Sequence, residues 1–163
     1  MNIGLPKLDP TFNDSLFSVD GYKLHRRDRT FNGGGILSII SSDIPSSRKV
    51  NLESEHLENI SYEVHVNDKK WLLMGIYKPP SITDNTFSEH FVKIMDKITV
   101  KYENYIVFSD LNFDMLNVKK CKPLVDMCDI FDLDQLVKKP TCFKKDCTPS
   151  LVDVILTNER SFF

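Results

Sequence analysis

The stretch from residue 60 to residue 77 constrains the fold most. Ile60, Tyr62, Val64 and Val66 alternate with Ser61, Glu63 and His65, the period of a strand with one buried face. Asn67-Asp68 offers a turn, and Trp71-Leu72-Leu73-Met74-Gly75-Ile76-Tyr77 follows as a more fully buried strand. The pair predicts an antiparallel hairpin that ends at Pro79-Pro80. A single parallel sheet is thereby disfavoured, because it needs a helical crossover between nearly every two strands.

The remaining elements fit around that hairpin. Thr86 and Glu89 have the spacing of a helix capping box, and Phe87, Phe91, Ile94, Met95 and Ile98 form the apolar stripe of an amphipathic helix behind it. Residues 105–108 read as a short buried strand that delivers Ser109-Asp110-Leu111-Asn112 at its end. A second helix is expected over about residues 120–130, and a last strand over 151–157. Gly33-Gly34-Gly35 leads into a β-branched strand over 36–40, which a polar stretch at Pro45-Ser46-Ser47 breaks. Residues 2–22 are rich in turn formers and read as an irregular loop. Hairpin strands with helices that must each cover a face predict an α+β layered sandwich, in one domain spanning 1–163.

Bulk properties narrow the function classes. Hydrophobic residues at 41% and charged residues at 27% are ordinary for a soluble globular domain, which excludes general disorder. A net charge of −2 argues against nucleic-acid binding by the whole surface and leaves only local basic patches. No apolar run approaches a membrane span and the first residues lack the pattern of a secretion signal, so the expected location is intracellular, nuclear or cytoplasmic, with no membrane partner. Cys121, Cys128, Cys142 and Cys147 match neither zinc nor secreted disulfide spacings. Cys121, Leu124, Val125 and Cys128 instead fall on one helix face, where reduced thiols pack as small hydrophobes.

Asp110 and Asn112 carry the most chemistry. At a strand end, a carboxylate and a carboxamide two residues apart can converge on one point, where the acid holds Mg²⁺ or a water and the amide donates to a phosphate oxygen. Ordinary turn residues after a strand are the alternative. Tyr77 also closes a buried strand, so its phenol can reach a phosphate or serve as an aromatic core residue. Asp153 lies in an apolar strand and can orient a catalytic His or face solvent. Arg26, Arg27 and Arg29 form a basic run able to touch a nucleic-acid backbone, or merely to be solvated. The glycine triplet precedes a strand rather than a helix, which excludes a dinucleotide or P-loop role. His25, His56, His65 and His90 show no metal spacing.

In order, the chain carries Arg26-Arg27-Asp28-Arg29-Thr30 with Gly33-Gly34-Gly35, then Gly75-Ile76-Tyr77-Lys78-Pro79-Pro80 and Ser109-Asp110-Leu111-Asn112. Lys139-Pro140-Thr141-Cys142-Phe143 and Ser150-Leu151-Val152-Asp153-Val154-Ile155-Leu156-Thr157-Asn158 follow. This series resembles the endonuclease/exonuclease/phosphatase domain of LINE-type non-LTR retrotransposons, relatives of apurinic/apyrimidinic endonucleases and DNase I. The resemblance covers nearly the whole chain. It implies a four-layer α/β/β/α sandwich, incomplete here, and Mg²⁺-dependent phosphodiester hydrolysis that nicks DNA. It also implies a reverse transcriptase domain as partner in the parent polyprotein.

By that resemblance Asp110 and Asn112 hold the metal and position nucleophile and phosphate, with Ser109 where the family has glycine. Tyr77 matches the family tyrosine, and Asp153 the acid behind the catalytic histidine. Leu5 stands where the family carries a metal-binding Glu, and the family's Ser-Asp-His strand would lie beyond Phe163. The resemblance therefore implies truncation at both ends and a fragment inactive alone, since such groups act as a unit. A non-catalytic nucleic-acid-binding or protein-interaction module on the same scaffold is the alternative. A phosphatase or nuclease with substituted ligands is another.

Overall fold

The computed structural model of the protein describes residues 2–4, 11–29 and 34–162. Among these residues six strands form one sheet and three a smaller one. The large sheet is built on the predicted hairpin, β5 (Glu58–Val66) and β6 (Lys69–Tyr77), antiparallel about Asn67 and Asp68. Both turn residues have positive φ (50° and 59°), a conformation that Asn and Asp tolerate and that suits the twist of a two-residue hairpin. β4 (Ser46–Arg48) flanks β5, while β7 (Asn104–Asp110) runs parallel to β6. β9 (Asp153–Thr157) and β8 (Asp134–Gln135) complete the order β4-β5-β6-β7-β9-β8.

The parallel step from β6 to β7 requires a crossover, and α1 (Asp84–Lys101) supplies it. Its predicted stripe is buried throughout, from Phe87 to Ile98. It packs with Leu124, Met127 and Cys128 of α2 (Val118–Ile130) against Leu72, Met74, Ile76, Val107 and Leu156 of the large sheet. Burial of each large side chain is worth about 1.5–3 kcal/mol, so this cluster dominates stability. The opposite face of the large sheet meets β1 (Asn2–Gly4), β2 (Tyr22–Asp28) and β3 (Gly35–Ser41), ordered β1-β3-β2. Ile36 and Ile40 there pack on Ile60, Tyr62, Val64 and Trp71. The architecture is thus α+β, layered as helices, large sheet and small sheet among the described residues. Among them no helix is long and apolar enough to cross a membrane.

Four details differ from the sequence reading. Residues 2–22 are not wholly irregular, because Asn2–Gly4 pairs with β3; residues 5–10 lie outside the described part. Arg26 and Arg27 of the basic run lie in a strand, β2, in register with β3 from Tyr22 to Asp28, and Arg29 follows its end. The helix cap is Thr83 rather than Thr86: the Thr83 side chain accepts the Thr86 N–H, and Glu89 pairs with Lys93 instead. In α2, Val125 is exposed and Met127 takes its place beside Cys121, Leu124 and Cys128. The four described cysteines are all free.

Two tyrosines report on the layers. Tyr62 lies between the sheets, and burial pushes its phenol up to about 12. The Ser38 hydroxyl is near enough to temper that rise yet is not aligned to bond it. Tyr102 is raised to about 12 by burial and by donating to Glu63 Oε2 at 3.0 Å. Both phenols are raised above the ordinary value of 10.0, so their stabilising contribution is full below about pH 10 and is lost as pH rises through about 12. A spectrophotometric titration should find both protonated in the folded chain until about pH 12. Ionisation of all five tyrosines near pH 10 in a still-folded protein would contradict this packing.

Candidate active site

Register places the predicted residues in one row. β6 pairs with β7 at Tyr77↔Asp110, and β7 with β9 at Asp110↔Asp153. Partners in register share a face and stand about 5 Å apart, so the phenol and two carboxylates lie side by side at one rim. The same row extends to Glu58, which opposes Tyr77 across the hairpin. All four point to the face shared with the small sheet, as Ile60 and Ile106 do along the same strands.

Asn112 joins the row through a sharp turn. Its φ of 53° reverses the chain just past β7, which Asn tolerates better than most residues. The Asn112 N–H donates to Asp110 Oδ1 at 3.2 Å, and Nδ2 donates to the Lys78 carbonyl at 2.9 Å. One amide proton is thus committed to scaffold and the other remains for a ligand. Lys78, next to Tyr77, turns to the helix face, where it pairs with Asp84 at 2.9 Å and lies over the Phe113 ring.

Burial raises the Asp110 carboxyl above its ordinary value; the Asn112 N–H pulls it back, while the charge of Asp153 raises it further. Asp153 is exposed, the open option of the sequence reading, and Thr141 Oγ1 accepts its N–H at 3.1 Å. Thr141 also accepts from Val152, so the Lys139–Phe143 segment serves to pin the start of β9. A cavity of about 220 Å³ opens beside the two acids, floored by Phe108, Val137 and Ile155.

The three arginines separate. Arg26 is held by Asp14, Asp28 and the Phe12 carbonyl, with 9% of its side chain exposed. Arg27 donates to the carbonyls of Asn59 and Ser54. Arg29 alone reaches the rim, paired with Glu58 and 5.6 Å from the Tyr77 ring centroid. None of the four histidines joins the row: His25 packs on Tyr62, His56 stacks on His90, and His65 is exposed. Leu5 and Gly33 lie outside the described residues. The participant missed by sequence reading is Glu58, whose place opposite Tyr77 follows from counting outward from the Asn67-Asp68 turn.

Known structures share this fold. The endonuclease domain of TRAS1, a telomere-specific non-LTR retrotransposon, superposes with a TM-score of 0.70 at 14% identity, over 88% of this chain and 70% of that one. The human nocturnin catalytic domain with bound sulfate gives 0.65 at 12% identity, over 96% and 69%. TDP2 of D. rerio, complexed with a single-strand DNA product, gives 0.63 at 10%, over 99% and 72%. The fold is DNase I-like. No family model matches the sequence, and no curated protein does.

The donor set of the rim row is what bears on whether a hard cation fits there. Among the described residues no three His, Cys, Asp or Glu side chains gather as a metal cage. Mg²⁺ does not need one, since it takes one or two carboxylates and leaves its other positions to water and phosphate oxygens. The raised Asp110 carboxyl beside Asp153 is a pair of acids whose repulsion a cation relieves. The residues present fit that ion.

Proposed function

We propose that this chain is a retrotransposon-derived endonuclease domain fragment, by ancestry a Mg²⁺-dependent phosphodiesterase that nicks DNA, and inactive alone. The observation that carries the reading is the Tyr77–Asp110–Asp153 row across three strands, with Asn112 folded back onto Asp110. The likeness to the TRAS1 endonuclease domain supports the retrotransposon origin, and that to TDP2 with its DNA product supports DNA as ligand. A reverse transcriptase domain in the parent polyprotein and an intracellular location belong to the same proposal.

Asp110 and the Asn112 amide oxygen would hold Mg²⁺, which polarises the phosphate when bound. Tyr77 donates its phenolic proton to a non-bridging oxygen, and the second Asn112 amide proton serves the same charge. Asp153 is placed to orient a base, yet among the described residues no histidine stands beside it. Without a base, proton transfer loses roughly 10²–10⁴-fold. A plasmid-nicking assay with Mg²⁺ should accordingly detect no turnover by this chain. Robust nicking that disappears in Asp110→Ala would retire the inactivity and keep the nuclease. In the alternative, a non-catalytic nucleic-acid-binding or protein-interaction module on the same scaffold, Arg29 would be the basic contact, because Arg26 and Arg27 donate to groups of the chain itself.

A further inference from the structure

Four separate stretches meet at the Tyr77 end of the row: the end of β2, the approach to β3, the start of β5 and the end of β6. Arg29 Nε and Nη2 both reach Glu58 Oε1 at 2.5 Å, and Glu58 Oε2 accepts the Gly35 N–H at 2.9 Å. The Arg29 guanidinium carbon stands 5.6 Å from the Tyr77 ring centroid, within cation–π range. A Cβ on Gly34 would lie 2.6 Å from that carbon and 2.8 Å from Nε, so the missing side chain is the seat that Arg29 occupies. Glu58 is 14% exposed and Arg29 35%, which leaves the outer edge of the guanidinium open at the rim.

The surroundings say why this matters. Glu58, Asp110 and Asp153 put three acids in the row. Arg26, Arg27 and Lys78 are all engaged elsewhere. Among the described residues Arg29 is the cation held against Tyr77 at that end of the row, while Lys144 acts on Asp110 farther along it. A planar fork can satisfy Glu58 with one edge and offer the other, which a lysine ammonium does not do.

We propose that Glu58 is a positioning residue, holding Arg29 against the Tyr77 ring so that guanidinium and phenol present donors to one phosphodiester oxygen. This rests on the nuclease reading of the rim. Gly34 is part of the same device, because any side chain there displaces the guanidinium.

The test uses the full 163-residue chain and two readouts. By NMR, the Arg29 δ-methylene and Nε–H resonances should carry the ring-current displacement of Tyr77, lost in Tyr77→Leu, Glu58→Gln and Gly34→Ala. By fluorescence anisotropy at low salt, a single-stranded DNA oligonucleotide should bind about tenfold more weakly to Glu58→Gln and to Arg29→Ala, with Arg29→Lys giving no rescue. Gly34→Ala moves Arg29 while keeping every charge, so it decides the matter if Glu58→Gln does not fold. Arg29 resonances unchanged in Glu58→Gln or Gly34→Ala, or unchanged affinity against a binding wild type, overturn the positioning role. A wild type that binds no oligonucleotide overturns the nuclease reading and the ligand assigned to Arg29; the resonances then still decide whether Glu58 holds it.

Discussion

Gly35→Ala should destabilise the protein by roughly 3 kcal/mol or more, the sum of a strained backbone and an unrelieved clash. Gly35 sits at φ +105°, which side chains rarely adopt. Its Cβ would stand 2.4 Å from the Arg27 carbonyl oxygen and 2.9 Å from the Asp28 Cα. Both neighbours are backbone of β2, locked in register by the Asp28↔Gly35 and Arg27↔Ile36 pairs, so neither can swing aside. Any retreat of Gly35 itself withdraws its N–H from Glu58. Chemical or thermal denaturation followed by circular dichroism should show a fall in Tm of about 6–12 °C for a chain of this size. Gly34→Ala is the control: it carries backbone strain of the same kind (φ +116°), but the nearest atoms its Cβ would meet belong to the flexible end of Arg29, so it should cost less by the clash with backbone. A Gly35→Ala loss below about 1 kcal/mol would mean that the two strands are not packed this closely.

Those glycines also show what was legible in the sequence. A triplet before a strand announces a bend, but only the fold reveals that Gly34 seats Arg29 and Gly35 admits β2. The hairpin at 60–77 was readable because local alternation and turn chemistry agree, and the α1 stripe because burial follows its 3.6-residue period. β2 was not, because its residues are half-buried and basic, with no apolar alternation to betray a strand. The cap at Thr83 was displaced by a better-spaced decoy at Thr86, where local signals alone do not choose between two threonines. Tyr77, Asp110, Asn112 and Asp153 were each readable as strand-end residues, yet their convergence depends on a parallel β6–β7 pair formed around α1. Such non-local pairing leaves no mark in a window of sequence. Glu58 is the intermediate case: one turn fixes its partner, so its position was computable, while its role beside Arg29 was not.

Asp110→Asn should have opposite effects on stability and on cation response. Burial, reinforced by Asp153, raises the Asp110 carboxyl above its unfolded value. The folded chain therefore holds that proton more tightly than the unfolded chain does. Its stability is fully present below the unfolded value and is lost as pH rises through the folded one. Above its folded value the wild type carries the cost of a partly buried carboxylate, which the amide removes at nearly equal volume. The variant should melt higher than wild type at pH 7 and no higher in acid, where both are neutral. Mg²⁺ bound at the row as proposed should reverse the order, because a ligand at a hundredfold excess over its Kd stabilises by about 2.7 kcal/mol. Wild type should then gain several degrees, and Asp110→Asn almost nothing. Calorimetric melts with Mg²⁺ and with EDTA at both pH values separate the two contributions. Equal gains from Mg²⁺ in the two proteins would place the cation away from the row, and a lower melting point for the variant at pH 7 would mean that Asp110 is structural. A Mg²⁺ gain larger than the gain from the amide would support the proposed ligand as the reason for an acid held where it destabilises the fold.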